Sequence, residues 1–553
     1  MGARLRSLLP SLLPRRADYA GLRRSWPRDL AAGLTVGVVA LPLALAFGVA
    51  SGVGAAAGLV TAVIAGTVAA VFGGSHLQVS GPTGAMTVVL IPLVAQHGAA
   101  VVYPVAVLAG LLVVLAAVLR VGRLLAYVPW PLVEGFTVGI AAVIAAQEIP
   151  SGLGVAKPDL DNAAAAAAVA VGRFARHPHW PAVVLLLITM ALTALLPRLH
   201  RTLPAGLIAV AVATAAAHGF GWSVPRIGAL PAGLPTPSIP AFGDTLALAG
   251  PALTVAFLAA LESLLSAQVA DGLSDRPRYE PDRELFGQGL ANIASGLAGG
   301  LPATGAIART AVNARAGAHT RVAALAHAAV LALIVYTAAP VVAQIPTVAL
   351  AGVLIVTAYR MVDQHAVRAV LGSSPGDRAV LVITAVATVA FDLLRAVLAG
   401  LVLAGVLALA QLSRTVRATA EPVGADGLDD AAEHELVRRH VLVYRVDGPL
   451  FFAAAARFIT TFATSSDVRV VILRLGALDM LDATGARALA ELIDDLEQRG
   501  IVVLVKCVEP DHARMLRRVN VVTAPPVDCA ADHLFGDLPA ALAHAQSHLA
   551  VGA

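Results

Sequence analysis

Between Asp29 and about Leu412 the chain is a succession of apolar runs of about 20 residues, the length a helix needs to cross about 30 Å of hydrocarbon. Fourteen segments emerge: 29–52, 53–74, one from Gln78, 100–119, 124–147, 181–197, 204–222, 247–270, 284–300, one from Ala303, 322–343, 345–360, 377–394 and 396–412. A polar stretch at 150–180, with Lys157, Asp159, Asp161, Arg173 and Arg176, separates the fifth from the sixth. After Arg417 the pattern changes. An acidic, loop-like segment, EPVGADGLDDAAEHELVRRH (421–440), leads into VLVYRV (441–446), VVILRL (470–475) and IVVLVKC (501–507), which read as buried strands. Between the last two, TGARALAELIDDLEQRG (484–500) has the period of an amphipathic helix and stops at Gly500. The pattern therefore predicts an all-α polytopic membrane domain followed by a small cytosolic α/β domain. The boundaries are a basic arm at 1–28, the membrane domain at 29–417, a linker at 418–439 and the α/β domain at 440–553.

Two of the fourteen segments are broken. GPTGAM (81–86) and LPATGAIA (301–308) each place Thr-Gly-Ala just after a proline, inside an apolar run. Proline cannot donate a backbone hydrogen bond, and glycine weakens a helix. A helix starting at Pro82, with proline favourably at its first position, and ending near Gln96 would be about 22 Å long. LQVSG (77–81) would lead into it as extended chain. A second, from about Ala303 to Ala316, would be about 21 Å long. Both fall short of the bilayer, so each begins partway through it. Non-helical backbone at that depth is tolerated only where it is buried in protein or lines a polar cavity. Either break alone reads as a packed Pro-Gly kink. A matched pair, with seven segments in each half, predicts two copies of inverted topology. Half-helices with facing N-termini would present unpaired N–H groups and dipole charge to an anion. The candidate binding residues are Thr83, Gly84 and Ala85 on one tip, and Thr304, Gly305 and Ala306 on the other.

Composition narrows the class. Of 553 residues, 58% are hydrophobic and only 13% charged, against roughly 25% charged in soluble domains. The charge that remains is lopsided. With a cytosolic N-terminus, alternation puts Arg120, Arg123, Arg198, Arg201, Arg276, Arg278, Arg283, Arg309, Arg315, Arg321, Arg360, Arg368, Arg378, Arg414 and Arg417 inside. It leaves only Lys157, Arg173, Arg176, Arg226 and Arg395 outside. This bias predicts a multi-pass plasma-membrane protein with both termini in the cytosol. The arginine-rich first 28 residues lack the apolar core and small-residue site of a cleavable signal peptide. Two cysteines, Cys507 and Cys529, make no disulfide framework and read as ordinary residues of a reduced domain. No catalytic triad, P-loop, CxxC or metal-ligand spacing occurs. The chain is read as a non-enzyme without cofactor or metal, and its net charge of +4 gives no reason to expect nucleic acid.

One acid stands in the middle of a span. AFLAALESLLSAQVADG (256–272) carries Glu262, and an ionised acid at that depth costs roughly 2.5–3.5 kcal/mol on insertion scales. The position suits a carboxyl group that gains and loses a proton, or one that holds helices together through hydrogen bonds. Ser266, four residues on, shares its face. Gln288 and Asn292 share a face of the ninth span as interhelical hydrogen-bond partners. Glu134, early in the fifth, reads as structural. Asp392 stands near Arg395 at the outer surface.

DLAAGLTVGVVALPLALAFGVASG, QVSGPTGAM, ESLLSAQVADG, ELFGQGLANIASGLAGGLPATGAIART and DATGARALAEL together resemble the sulfate permease (SulP) family of anion transporters, its prokaryotic branch in particular. The resemblance covers nearly the whole chain. It implies fourteen membrane helices in two inverted seven-helix repeats, and substrate held between the third and tenth. It also implies movement of a core against a gate, a cytosolic STAS domain and a homodimer. Family substrates include sulfate, bicarbonate and dicarboxylates such as fumarate. Some sodium-coupled bicarbonate transporters of the family use an acid and a hydroxyl at the positions of Glu262 and Ser266, plus a threonine on the tenth helix. That threonine position falls at Ile307, which offers no oxygen, so the departure favours protons over sodium. LDATGARALAEL (481–492) resembles the STAS signature loop. Where relatives carry a phosphorylated serine this chain has Ala483, leaving Thr484 the only hydroxyl; Asp482 and Thr484 read as helix caps.

The expectation is a proton-coupled secondary transporter of small anions. Its rivals are a sodium-coupled bicarbonate transporter, an anion-sensing membrane receptor and a nucleobase transporter of similar architecture.

Overall fold

The computed structural model describes residues 12–550 except 16–17, 19–21, 124–127, 159, 161, 200–202, 231–232, 234, 244, 274–277, 392, 416, 422–438, 453, 455–467, 507–509 and 519–533. Cys507, Cys529, Asp159, Asp161, Arg201, Arg276, Asp392 and most of the acidic linker lie outside the described residues, as does most of the basic arm. The chain divides into two compact units, 1–402 and 403–553.

Each of the fourteen predicted segments contains a helix. In order they are α1 (Leu22–Ala50), α2 (Ala55–Phe72), α3 (Gly84–His97), α4 (Val102–Val118), α5 (Trp130–Gly152), α7 (Trp180–Leu199), α8 (Ala205–Gly219), α9 (Thr245–Gly272), α10 (Pro281–Leu297), α11 (Ile307–Arg315), α12 (Val322–Val342), α13 (Thr347–Met361), α15 (Pro375–Ala390) and α16 (Leu393–Leu412). Two further helices fall between segments. The polar stretch holds α6 (Ala163–Arg176), an alanine-rich run capped by Asn162, whose side chain accepts from Ala165 N at 3.0 Å. A short amphipathic helix, α14 (Gln364–Leu371), follows α13 at a 41° bend and is capped by Asp363. Among the described residues, eight helical stretches are long and apolar enough to cross a membrane by themselves. Small residues let the others approach: a Cβ on Gly110 of α4 would stand 2.6 Å from the Gly289 carbonyl oxygen of α10.

Charges at the starts of α10 and α12 are buried and answered. Asp18, from the arm preceding α1, takes both outer nitrogens of Arg283: Nη1 donates to Oδ1 at 2.9 Å and Nη2 to Oδ2 at 2.5 Å. Arg321 Nη2 lies 3.8 Å from the same carboxylate. Its Nη1 donates to the carbonyls of Ala70 and Gly73, which close α2. Asp29 accepts from the backbone N–H groups of His319 and Thr320 and from the Thr320 hydroxyl, tying the turn that precedes α12 to α1. Burial by itself would raise the Asp18 pKa. The Arg283 hydrogen bond, the Arg15 N–H and the field of Arg321 outweigh it and bring the carboxyl to about 2 from 3.8.

The second unit is a five-stranded sheet in the order β3 (Arg417–Glu421), β4 (Val441–Leu450), β5 (Val470–Leu481), β6 (Val502–Lys506) and β7 (Leu534–Phe535). β3 runs antiparallel to β4, and the remaining pairs are parallel. The sheet thus begins within the segment that composition assigns to the linker, because 417–421 pairs with the edge of β4. Helices α17 (Ala483–Gln498) and α18 (Pro510–Arg518) alternate with the strands, and α19 (Leu538–Ala550) follows the last. Side chains alternate between faces. Val471 and Leu473 pack with Leu489, Leu492 and Leu496 of α17, whereas Val470 and Ile472 pack with Leu542, Ala545 and Leu549 of α19. Burial on both faces explains the unbroken apolar strands. Of the two expected caps, Asp482 performs the role. Its Oδ1 accepts from Gly485 N at 2.7 Å and its Oδ2 from Phe452 N at 3.1 Å. Thr484 is exposed inside the first turn and caps nothing.

Two outcomes follow. Asp482→Ala is expected to cost about 1–2 kcal/mol in the second unit, read as earlier thermal unfolding, with Asp482→Asn retaining most of the cap. Because the Asp18 pKa is depressed on folding, its stabilisation is complete above about pH 4 and is lost as pH falls towards about 2. Melting temperatures of wild type and Asp18→Asn should therefore differ by a constant gap from pH 5 to 8, and converge in acid.

Candidate functional site at the crossing of two broken segments

The two Thr-Gly-Ala phrases meet, but not as two opposed helix tips. Ser80–Gly81 (β1) and Thr304–Gly305 (β2) pair antiparallel, with Ser80 opposite Gly305 and Gly81 opposite Thr304. α3 begins at Gly84, with Thr83 as its N-cap residue, so Pro82 lies before the helix and not at its first position. α11 begins at Ile307 and has nine residues, against the expected start at Ala303. The reason is that extended chain on each side satisfies the other side's backbone, which prolonging either helix would forfeit. Antiparallel pairing is also the arrangement that two inverted copies require.

The pairing changes which backbone groups face outward. Gly305 N donates to Ser263 Oγ at 3.1 Å, and Ala306 N donates to the Val79 carbonyl at 2.9 Å. The Thr304 hydroxyl is fully buried between Ser263 Oγ and the Ala259 carbonyl. Thr304, Gly305 and Ala306 therefore build the crossing; their N–H and hydroxyl groups are engaged within it. On the other side, the first N–H groups of α3, those of Gly84, Ala85 and Met86, have no intrahelical acceptor. The corresponding groups of α11 begin at Ile307, whose side chain is 43% exposed.

α10 sutures the crossing along one face. Glu284 accepts from Gly74 N at 2.8 Å and Ser75 N at 2.9 Å, in the chain entering β1. Gln288 donates to Glu284 and, at 2.6 Å, to Ser80 Oγ. Asn292 acts like a neighbouring strand: its Oδ1 accepts from Ala303 N at 2.9 Å and its Nδ2 donates to the Ala303 carbonyl at 2.8 Å. Ser295 and Thr61 bond the backbone of Leu301. The expected interhelical role of Gln288 and Asn292 is thus more specific: Asn292 holds broken backbone, and Gln288 holds the Ser80 side chain of β1, rather than a second helix.

The ionisable groups converge beside this frame. Thr83 Oγ1 donates to Glu262 Oε2 at 2.9 Å, joining the α3 tip to the middle of α9. Arg309, assigned by alternation to the cytosolic face, is instead 2% exposed within the site. Its Nη2 donates to the Pro82 carbonyl at 2.8 Å, whereas Nη1 has no protein acceptor among the described residues. Its guanidinium stands where a side chain on residue 81 would be: a Cβ there would lie 2.7 Å from Nη1, which explains Gly81. Arg309 and Glu262 feel each other electrostatically without forming a direct ion pair among the described residues. Ser266, expected to serve a coupling ion with Glu262, is fully buried, its hydroxyl 2.9 Å from Thr310 Oγ1. Thr310 also accepts from Val79 N at 3.1 Å. Gln78 is buried against Gly305, and a Cβ at residue 305 would collide with its amide nitrogen.

Arg309, Ser263, Thr310 and Gln78 were not singled out by sequence. The signal for Arg309 was present, three residues past the second break in LPATGAIAR, where a helix begun at mid-depth cannot return a side chain to the surface in one turn. Glu134 accepts from Trp130 Nε1 at 2.9 Å, one turn away, in a local and exposed contact.

Comparison with known proteins gives a family and a fold. The profile of the sulfate permease family matches residues 27–384, and that of the STAS domain matches 434–528. A putative sulfate transporter of Bacillus subtilis, YvdB, is 31% identical over 90% of this chain and 94% of its own length. The bicarbonate transporter BicA of Synechocystis is 30% identical over 91% and 92%. The solved transmembrane domain of a cyanobacterial BicA aligns with a TM-score of 0.63 at 32% identity, over 68% of this chain and 98% of that one. The murine Slc26a9 anion transporter in its inward-facing state aligns at 0.83 and 17% identity, over 98% and 95%, a likeness of fold.

Replacing Asn292 by leucine would strand both polar groups of Ala303. A loss of about 1–3 kcal/mol for each buried group left unpaired is expected, seen as a lowered melting temperature in detergent. Asn292→Asp, which cannot donate, should lose only part of it.

Proposed function

Because the chain belongs to the sulfate permease family, we propose that it is a secondary active transporter that carries a small anion together with a proton by alternating access. Sulfate, bicarbonate and C4-dicarboxylates are the candidate substrates. The observation that carries the reading is Arg309: a guanidinium buried at the crossing, with one nitrogen lacking a protein acceptor among the described residues. A buried arginine is tolerated where its donors are met, and an oxyanion meets them with charge-assisted hydrogen bonds. The α3 N–H groups of Gly84 and Ala85 and the hydroxyl of Thr83 add weaker donors on the opposite side. Thr304, Gly305 and Ala306 set the spacing between the two tips.

Coupling follows from charge. Glu262 and the substrate draw on the same donors, the Thr83 hydroxyl and the field of Arg309. An ionised Glu262 opposes a second anion, and a protonated one does not. Proton and anion therefore favour each other's binding, by equal free energy in both directions. Ser266 and Thr310 keep α9 and α11 in register. In the same reading the protein works as a homodimer, and both termini face the cytosol, a placement the arginine bias supports. The sodium reading draws on one observation: the Thr310 hydroxyl, three residues past Ile307, reaches Ser266 and supplies an oxygen that Ile307 lacks.

The test is uptake of radiolabelled sulfate, bicarbonate and fumarate into sodium-free proteoliposomes with an inward proton gradient. Saturable uptake of at least one anion is expected. Glu262→Gln should abolish the response to the gradient. Arg309→Gln should raise the half-saturating concentration at least about tenfold, the loss of one hydrogen bond to a charged group. Uptake that appears only with sodium would replace the proton by sodium. Binding without flux would make the protein a receptor, and competition by uracil would make it a nucleobase carrier.

A further inference from the structure

The residues that hold the crossing form a continuous line, and the line does not end within the membrane helices. Ser80 of β1 is held by Gln288, Gln288 by Glu284, and Glu284 also binds Gly74 N and Ser75 N. The next residue on α10 is Arg283, whose two outer nitrogens both bond Asp18. The same carboxylate faces Arg321, whose other nitrogen holds the Ala70 and Gly73 carbonyls at the end of α2. The chain leaving α2 is thus held at Ala70 and Gly73 by Arg321 and at Gly74 and Ser75 by Glu284, the neighbour of Arg283, and both arginines face one carboxylate. Arg283 and Arg321 are 2% and 1% exposed, and Asp18 is 7% exposed.

We infer that Asp18, in the arm before the first membrane helix, is a positioning residue for the anion site. The inference rests on the transport reading above. Without the carboxylate, the buried Arg283 loses the acceptor of both its outer nitrogens and Arg321 loses a nearby counter-charge, and breaking a buried ion pair on one side costs far more than a surface pair. The relief available is separation of α10 from the end of α2. That movement shifts Gly74 and Ser75 relative to Glu284, and then Ser80 relative to Gln288. Displacement of about 1 Å at reacting or binding groups is enough to lose much of an oriented interaction. The tips of α3 and α11 would stay folded but no longer hold Thr83 and Arg309 at their present spacing.

The experiment is made on the full-length protein in nanodiscs and proteoliposomes, with three variants. For Asp18→Asn, amide hydrogen exchange is expected to rise severalfold in peptides covering 74–82 and 301–306. The half-saturating anion concentration should rise about fivefold or more, with the maximal rate changed less. Asp18→Glu should restore both to within about twofold. Arg15→Ala should change neither, because the Arg15–Glu280 pair is exposed and the bond from Arg15 to Asp18 is through its backbone N–H. If Asp18→Asn does not fold, Arg283→Lys, which keeps the charge and loses the two-pronged geometry, should raise exchange in the same peptides. Faster exchange confined to 280–285 and 319–323, with half-saturation unchanged, would overturn the inference. If the wild type moves no anion, the transport reading fails, and the exchange pattern still decides whether Asp18 acts on the crossing.

Discussion

Everything in the membrane unit is arranged around a short stretch of backbone that is not helical where a membrane chain would ordinarily have to be. Unpaired N–H and C=O groups in hydrocarbon cost several kcal/mol each. Two interrupted segments would be prohibitive if each had to satisfy its own. Their antiparallel pairing lets each complete the other, and α10 completes both. That explains why a helix so poor in apolar residues sits among membrane helices: Glu284, Asn292 and Ser295 bond backbone and Gln288 bonds the Ser80 hydroxyl, and none of them faces lipid.

The same economy governs charge. Asp18, Asp29, Glu284, Arg283 and Arg321 are answered by several backbone groups or by each other, whereas Glu262 and Arg309 each have one hydrogen bond among the described residues and belong to the same site. Glu262 is held by one hydroxyl, and Arg309 by one carbonyl. Satisfied polar groups make a rigid frame, and incompletely satisfied ones make a place where a solute changes the balance. Geometry therefore distinguishes the two Thr-Gly-Ala phrases: the groups of Thr304, Gly305 and Ala306 are engaged within the crossing, whereas the first N–H groups of α3 have no intrahelical acceptor.

Much of this was legible in the sequence. Fourteen apolar runs, two prolines at matched places and a lone acid at mid-span follow from the chemistry of a bilayer, and the structure keeps them. The second unit was legible too, because a sheet buried on both faces writes its strands as continuous valine, isoleucine and leucine. What was not legible depends on partners far apart in the chain. That Thr304 and Gly305 pair with Ser80 and Gly81 requires a tertiary contact, and local propensity around Ala303 pointed to helix instead. Arg309 was hidden by a rule that counts arginines at segment ends and cannot see one that turns inward. Asn162 and Asp363 are strong caps, yet the helices they open were masked by their position between membrane segments.

The crowding around Gly305 has a consequence for how proteins built this way can diverge. No side chain fits at residue 305 without displacing Gln78 and pressing on Ser266, and none fits at residue 81 without displacing Arg309. These positions belong to the frame, where any added side chain must first move Gln78 or Arg309. Ile307, one helical step past the crossing, is open on its outer side and carries none of the frame's side-chain bonds. A substitution at Ile307 can therefore change the chemistry of the rim while leaving the glycine cross beneath it intact.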